Sequence, residues 1–312
     1  MNNNMTGGTR EDAVGVPRPI ADGTEIAVGN DAIDEISSPA QTFQQASADA
    51  DRAAVRAAGA VGVRADVLHD PELCRAASEV LQQVWADPVG SPLRPEVLRA
   101  LSHSGNYVGI VFDDATIVGV ACGFRTDRDE LHSHIAGVLP GYQHRSIGYV
   151  LKLHQRAWAL RQGIPTITWT FDPIIRRNAH FNLIKLGAQI AEYVPDFYGT
   201  LTGQAAGDDH SDRLLVRWDL LAGVPGDPVE VGGDVTSVLA IGEQSEPVLT
   251  LSACDRGSIS LPPDFEQLRR GQPELAMRWR HALRTALADV FERGHLIIGM
   301  DAQGAYATRM EQ

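Results

Sequence analysis

The stretch from residue 131 to residue 171 constrains the fold more than any other part of the sequence. Residues 131–139 alternate apolar and polar side chains until a Pro-Gly pair interrupts them. Residues 147–162 are amphipathic with helical spacing, and residues 166–171 are rich in β-branched and aromatic side chains. Two strands joined through a helix pair in parallel, so the sequence predicts a strand–helix–strand crossover.

Antiparallel strands are expected before and after this crossover. The residues around it predict strands at 61–67, 106–112, 116–124, 189–194 and 214–220, and helices at 71–85, 95–102 and 174–186. The short turn at Asp113-Asp114 predicts a hairpin between the second and third of these strands. The predicted fold class is α/β (α+β), with a mixed, mostly antiparallel sheet flanked by helices.

Composition divides the chain into four parts. Residues 1–60 contain a single aromatic and no sustained apolar period, which predicts a mostly disordered leader that allows a short helix around 41–58. Residues 61–220 form the predicted main domain. Residues 221–246 are rich in Gly, Pro and Asp and are interpreted as a linker. Residues 247–312 predict a small α+β C-terminal module.

Charge and cysteine usage exclude several classes of function. The chain has 27 basic and 40 acidic side chains, a formal charge of -13, which argues against a nucleic-acid partner. Three dispersed cysteines suggest neither a disulfide framework nor a metal site. No apolar run is long enough for a membrane span, and the N-terminus lacks a signal pattern, so we expect a cytoplasmic protein without a membrane partner.

The loop between the strand at 131–139 and the following helix is the most informative motif. Free N–H groups at a helix N-terminus bind anions, and small residues at Ser146 and Gly148 let a diphosphate approach the backbone. Gln143 and Arg145 can add side-chain contacts. The pattern Gln143-x-x-Ser146-x-Gly148 resembles the Q/R-x-x-G-x-G/A acyl-CoA loop of the GNAT acyltransferase superfamily, with Ser146 in place of the first glycine. An ordinary strand–loop–helix connection with a capping serine is the structural alternative.

A second motif strengthens the resemblance. Asn178-Ala179 begins a helix that ends at Leu186-Gly187, which is similar to the second signature of the same family. The resemblance implies acetyl-CoA, or another acyl-CoA, as the co-substrate, with pantetheine lying between the strands at 131–139 and 166–171. It implies these cofactor-binding residues: Val138, Leu139, Gln143, His144, Arg145, Ser146, Ile147, Gly148, Asn178 and Phe181.

Acyl transfer to an amine needs a base for the amine and an acid for the leaving thiolate. His132 and His134 lie on one face of the strand that would bind pantetheine, and His134 is the first candidate for the base. A hydrogen-bonded structural role is the alternative. The family often places a tyrosine acid where this chain has Leu183, so Tyr198 is the candidate substitute.

The residues after the second crossover strand have two interpretations each. Asp172 could hold an amine substrate or cap the next helix. Arg176 and Arg177 could contact an acidic ligand or lie at the surface.

Lys152 and Lys185 are the only lysines, so any lysine chemistry is confined to them.

The resemblance implies a CoA-dependent N-acyltransferase that acetylates an amine of a small molecule or peptide by direct transfer. Other acyl-CoA chemistry, such as decarboxylation, is an alternative because the usual tyrosine is absent. A non-catalytic CoA-binding or interaction module is the third hypothesis. The C-terminal module could cover the substrate side or mediate a homodimer.

Overall fold

The computed structural model describes residues 39–85, 90–199, 210–222, 228–229 and 234–311. The helices in this part are α1 (Pro39–Val61), α2 (Pro71–Trp85), α3 (Pro95–His103), α4 (Ile147–Arg161), α5 (Arg176–His180), α6 (Phe265–Gly271) and α7 (Pro273–Glu292). The first seven strands are β1 (Arg64–Val67), β2 (Tyr107–Asp113), β3 (Thr116–Arg125), β4 (Leu131–Val138), β5 (Thr166–Phe171), β6 (Gln189–Val194) and β7 (Arg213–Asp219). The others are β8 (Thr236–Ile241), β9 (Pro247–Leu249), β10 (Arg256–Ile259), β11 (His295–Met300) and β12 (Tyr306–Met310).

The first sheet has the order β1-β2-β3-β4-β5-β7-β6 and is antiparallel except where β4 meets β5. The parallel pair is joined through α4, as the crossover predicts. This mixed α/β sheet flanked by helices confirms the predicted fold class. The helix expected at 174–186 is divided, since α5 is followed by a π-helical turn at Phe181–Lys185.

Helices cover both faces of the first sheet because the strands are apolar on both sides. Val108 and Ile110 of β2 pack in one buried cluster with residues of α2 and α3. Tyr107 and Val111 point the other way and belong to a second cluster that contains the apolar face of α4. Successive side chains of a strand face opposite sides of a sheet, so a single buried strand contributes to both clusters.

Helix α1 lies where the sequence predicts a mostly disordered leader that allows a short helix around 41–58, and it is longer than that helix. Ala46, Ala50 and Ala54 recur at four-residue spacing, are buried, and pack against α4. Small side chains let two helices approach closely, and Phe43 of α1 packs partly buried against the same core. An ion pair between Asp51 and Arg161 joins the same two helices. The rest of the predicted leader, residues 1–38, lies outside the described residues.

A second sheet is built from the C-terminal part of the chain, with the order β11-β12-β10-β8-β9. Strand β8 lies inside the segment that was interpreted as a linker and pairs in parallel with β10. Its apolar residues Val238 and Leu239 are fully buried, and this short run was masked by the Gly-rich composition around it. The predicted linker therefore contains one strand of the C-terminal region.

The C-terminal region packs on the first sheet, and residues 38–312 form one compact unit. The ring of Phe291 stacks on Tyr193 of β6, with centroids 5.9 Å apart. The Tyr306 hydroxyl donates to the Pro173 carbonyl at 2.8 Å. These contacts place α7 and β12 beside the carboxyl end of β5. Within the described residues, no helix is long and apolar enough to cross a membrane.

Candidate active site

The loop before α4 has a backbone that suits an anion. His144 and Ser146 both have a left-handed conformation, with φ of 65° and 59°. Ser146 is the residue at the N-cap of α4, and its side chain makes no capping hydrogen bond. Within the described residues, no backbone N–H from residue 144 to residue 148 donates to a backbone carbonyl. Unused N–H groups in such a turn form an anion-binding concavity at the positive end of the helix dipole.

The side chains of the loop are partly engaged. The Gln143 amide lies 3.5 Å from the Val138 carbonyl oxygen. Arg145 donates to the Asp113 carboxylate at 3.1 Å and lies over the Tyr142 ring. Because the Arg145 side chain is 45% exposed, it can still turn toward an anion in the loop. The backbone amides are therefore the fixed part of this site, and Arg145 is its adjustable part.

Replacing Ser146 with glycine is expected to stabilise the protein by about 0.5–1 kcal/mol. A side chain in the left-handed region is strained, and glycine removes the strain at some cost in unfolded-state entropy. Ser146→Ala keeps the Cβ and serves as the control, with no gain expected. Urea unfolding measures both. A Ser146→Gly protein less stable than Ser146→Ala would show that Ser146 is not strained.

Strands β4 and β5 separate soon after they meet. Their paired residues are Leu131 with Ile167 and His132 with Thr168, and no later residues of the two strands pair. The remaining six residues of β4, 133–138, therefore have a free edge on the β5 side. This gap opens toward the loop that carries Ser146. The splay predicted between these two strands is present in the structure.

The backbone of Leu139 already forms hydrogen bonds within the protein. The Leu139 N–H donates to the Val118 carbonyl on the β3 side, and the Leu139 carbonyl accepts from Tyr142. The Leu139 backbone therefore faces β3 and not the gap, and its contact with a cofactor stays a prediction. The chain leaves β4 toward β3 at this point, which a strand prediction cannot reveal. Val138 remains the candidate at this end of the gap.

The second signature lies beside the far strand of the gap. Asn178 is exposed in the last helical residues before the π-helical turn, and its backbone N–H donates to the Ile175 carbonyl. Ala179 is fully buried. Phe181 begins the π-helical turn and is half-buried against the core. Such turns are frequent at functional sites, and this one adjoins both residues that the resemblance singles out.

The two histidines of β4 have different surroundings. His134 is exposed and makes no side-chain hydrogen bond within the described residues. The Nδ1 atom of His132 lies 3.2 Å from the Thr168 hydroxyl. Burial lowers the pKa of His132, and the charges of His134 and Lys152 lower it further. Phe124 lies beside both rings, with centroids 5.3 Å and 6.0 Å away.

Tyr198, the candidate acid, makes no described contact with His132 or His134. Tyr198 is exposed in the loop after β6, where its ring packs on Phe197 and its backbone N–H donates to the Ser211 hydroxyl. The Arg213 guanidinium lies over its ring. Leu183, the position of the family tyrosine, is buried in the π-helical turn. Leu183 has no acidic group, and the role of Tyr198 stays a prediction.

The side chains that follow β5 form hydrogen bonds and ion pairs with the C-terminal region. Arg280 of α7 donates to both carboxylate oxygens of Asp172, at 2.5 and 2.9 Å, and the same carboxylate caps the Ile174 N–H. This supports the capping role of Asp172 over an amine-binding role. Arg176 donates to the Gln303 carbonyl and Arg177 to Glu266. Both arginines are therefore committed to the C-terminal region in this arrangement.

A buried lysine at the closed end of the gap was not predicted as a site residue. The Lys152 ammonium donates to the Ser133 hydroxyl at 2.9 Å and to the Gln155 side-chain oxygen at 3.3 Å. It also lies 3.8 Å from the centre of the Trp169 ring. Burial lowers the pKa of Lys152 to about 7. The sequence signal was a rare lysine on a helix face whose neighbours are apolar.

Comparisons with known proteins match part of this chain, including the Gln143–Gly148 loop, to one family. A family model described as the acetyltransferase (GNAT) family matches residues 73–181. No curated protein matches the chain. Among solved structures, the ribosomal-protein-S18-alanine N-acetyltransferase from Escherichia coli is 14% identical. The match covers 54% of this chain and 99% of that one, with a TM-score of 0.43.

The yncA protein from Salmonella typhimurium, solved with its cofactor acetyl-CoA, is 15% identical. That match covers 53% of this chain and 98% of the other, with a TM-score of 0.42. At such identities and scores, these likenesses do not bear on substrate or mechanism. The assignment depends on the family model, which spans both the Gln143–Gly148 loop and Asn178. Residues 73–181 match the acetyltransferase (GNAT) family, and the chain has an additional C-terminal region built around a second sheet.

Proposed function

We propose that the chain is a CoA-dependent N-acyltransferase that transfers the acetyl group of acetyl-CoA to an amine of a small molecule or peptide. One observation carries this proposal. The unused amides at the start of α4 lie at the mouth of the gap between β4 and β5. An anion-binding turn that opens into a cleft between strands suits a ligand with a diphosphate and a narrow arm.

The proposed complex uses both parts of the site. The diphosphate lies on the amides of residues 144–148, and Arg145 exchanges its contact with Asp113 for a contact with phosphate. The arm follows the free edge of β4 from Val138. Asn178 and Phe181 contact it from the β5 side. Local backbone dipoles and one arginine thereby offset the net charge of -13, which would otherwise repel CoA.

His134 is the proposed base for the attacking amine, directly or through a water molecule. It is exposed on β4, so an acceptor can approach it from solvent. His132 is the second candidate, and its lowered pKa keeps it neutral at physiological pH. However, its bond to Thr168 and its partial burial favour a structural role. Because His134 is the more exposed of the two histidines, it is the first candidate for the base.

Replacing His134 with alanine is expected to lower kcat about 100-fold while leaving CoA affinity unchanged, because a general base contributes to the chemical step alone. Release of free thiol from acetyl-CoA measures turnover, and calorimetry measures CoA binding. His103→Ala, which removes another exposed histidine, is the matched control and should retain full activity. Full activity in His134→Ala with loss in His132→Ala would transfer the role to His132.

The acceptor class is tested by supplying amines of different charge and size with acetyl-CoA and measuring thiol release. Release that depends on an amine supports the proposal, and identification of the acetylated product fixes the acceptor. Release without any amine would contradict N-acetylation. A cytoplasmic location and a homodimer stay predictions.

The apolar residue at Leu183 favours one second candidate. Without a tyrosine at that position, the fold could decarboxylate an acyl-CoA or act on a longer acyl group. Mass analysis of the products formed from acetyl-CoA and from malonyl-CoA separates the two reactions. Carbon dioxide release from malonyl-CoA, with no acylated amine, would support decarboxylation.

A further inference from the structure

The Lys152 ammonium lies where β4 and β5 part. The last residues to pair are His132 and Thr168. The next residue on each strand is Ser133 on β4 and Trp169 on β5, and these are the two residues that the Lys152 ammonium contacts across the gap. A single group therefore touches the first unpaired position of both strands. It closes the gap at the end opposite the anion-binding loop.

The chemistry of this position is costly for a purely structural residue. Lys152 is only 6% exposed, and among the described residues no carboxylate forms an ion pair with it. Its partners are a hydroxyl, an amide oxygen and an indole face, all of them neutral. A buried cation without a counter-ion is destabilising, whereas methionine would fill the same space without that cost. Such an arrangement is typical of groups that take part in proton transfer.

The length of β4 relates Lys152 to the reacting sulfur. From Val138 to Ser133 a strand spans about 16 Å. An arm that enters at the loop and follows this free edge has its sulfur at the far end, beside Ser133. We propose that Lys152 is the acid that protonates the thiolate of CoA as it leaves. This inference depends on the proposed CoA-dependent function and names Lys152, rather than Tyr198, as its acid.

The proposed step balances in atoms and charge. The neutral amine nitrogen bonds to the thioester carbonyl carbon and loses one proton to the base, His134. The carbon–sulfur bond breaks with its electron pair on sulfur, and a proton passes from Lys152 Nζ to that sulfur. The products are an amide and free CoA. His134 then returns a proton to solvent, and Lys152 takes one up.

The acidity of Lys152 suits this transfer. An ordinary lysine, with a pKa of about 10.4, is a weaker acid than a thiol of about 8.5, so transfer to the thiolate would be uphill. Burial lowers the pKa of Lys152 to about 7, which makes the transfer downhill. Ser133, Gln155 and Trp169 carry no charge. His132, which precedes Ser133 on β4, is a titratable neighbour, and the Lys152 charge lowers its pKa.

The test compares the binding of CoA and of desulfo-CoA, which lacks the thiol, to the full-length protein at pH 6, below the pKa of Lys152, where its ammonium is charged. We expect the wild type to bind CoA at least about 10-fold more tightly than desulfo-CoA, and Lys152→Met to show less than a 2-fold preference. Lys185→Met removes the other lysine, which is exposed, and should keep the wild-type preference. An equal preference in wild type and Lys152→Met would overturn the assignment.

Two outcomes separate this inference from the proposed function. If the wild type binds CoA and desulfo-CoA equally, the CoA site stands and the role of Lys152 is wrong. If the wild type binds neither, the CoA site itself is wrong and the inference falls with it. Circular dichroism verifies the folding of Lys152→Met, and Lys152→Gln replaces it in the comparison if it fails to fold.

A third variant distinguishes an acid from a fixed charge. Arginine keeps the positive charge but does not release its proton. Lys152→Arg should therefore retain the preference for CoA over desulfo-CoA and still lose about 100-fold in kcat. Turnover at the wild-type rate in Lys152→Arg would show that Lys152 acts through charge alone and would overturn its role as the acid.

Discussion

Replacing Arg280 with alanine is expected to lower the free energy of unfolding by about 3–5 kcal/mol. The Arg280 side chain is 5% exposed and pairs with both oxygens of Asp172. It also lies over the Phe265 ring, 4.8 Å from its centre. Truncation would leave the Asp172 carboxylate without this partner at the junction of the two sheets. Urea unfolding followed by circular dichroism measures the loss.

The control for this prediction is another arginine at the same junction. Arg177 pairs with Glu266, but its side chain is 61% exposed. Exposed pairs contribute about 0–1 kcal/mol, so Arg177→Ala should change stability little. Equal effects of the two substitutions would contradict the account of the junction. Two separate unfolding transitions in the wild type would contradict the single compact unit.

Replacing Gly148 with leucine is expected to weaken CoA binding by more than about 100-fold without loss of stability. Gly148 is in the first turn of α4, and a Cβ built on it meets no atom within 4 Å. Leucine favours the helix over glycine by up to about 1 kcal/mol. Its side chain leans toward the helix N-terminus and so covers the amides that would hold the diphosphate. Calorimetry with CoA measures the change.

The matched control is Gly148→Ala. A Cβ at Gly148 meets no atom within 4 Å, so we expect Gly148→Ala to bind CoA more tightly than Gly148→Leu. Thermal melting of both variants verifies that the fold is kept. If Gly148→Leu bound CoA as tightly as Gly148→Ala, the diphosphate would have to lie elsewhere.

Local sequence patterns predicted the main sheet and its loop well. Alternation placed β4 and β5, and the helical period placed α4 between them. The Gln143–Gly148 motif predicted an anion site because the relevant groups are consecutive backbone amides. Such a site depends on local chain geometry, which a short motif specifies.

Features that depend on distant contacts were not predictable in this way. A helix around residues 41–58 was expected, but its packing on α4 through Ala46, Ala50 and Ala54 was not, because it depends on a partner about 100 residues away. Asp172 is paired with Arg280, which is 108 residues away. The proposed role of Lys152 depends on its position beside the point where β4 and β5 separate. The residue spacing in α4 does not predict that position. The exposed position of Tyr198 likewise follows from tertiary packing.

The most direct test of the central claim is a thermal melt of the full-length protein with and without 1 mM CoA. If CoA is present at about 100 times its Kd, binding adds about 2.7 kcal/mol to stability, which raises Tm by about 5 °C or more. We expect this rise in the wild type and its absence in Gly148→Leu. An unchanged Tm in the wild type would contradict the CoA site, and with it the proposed function.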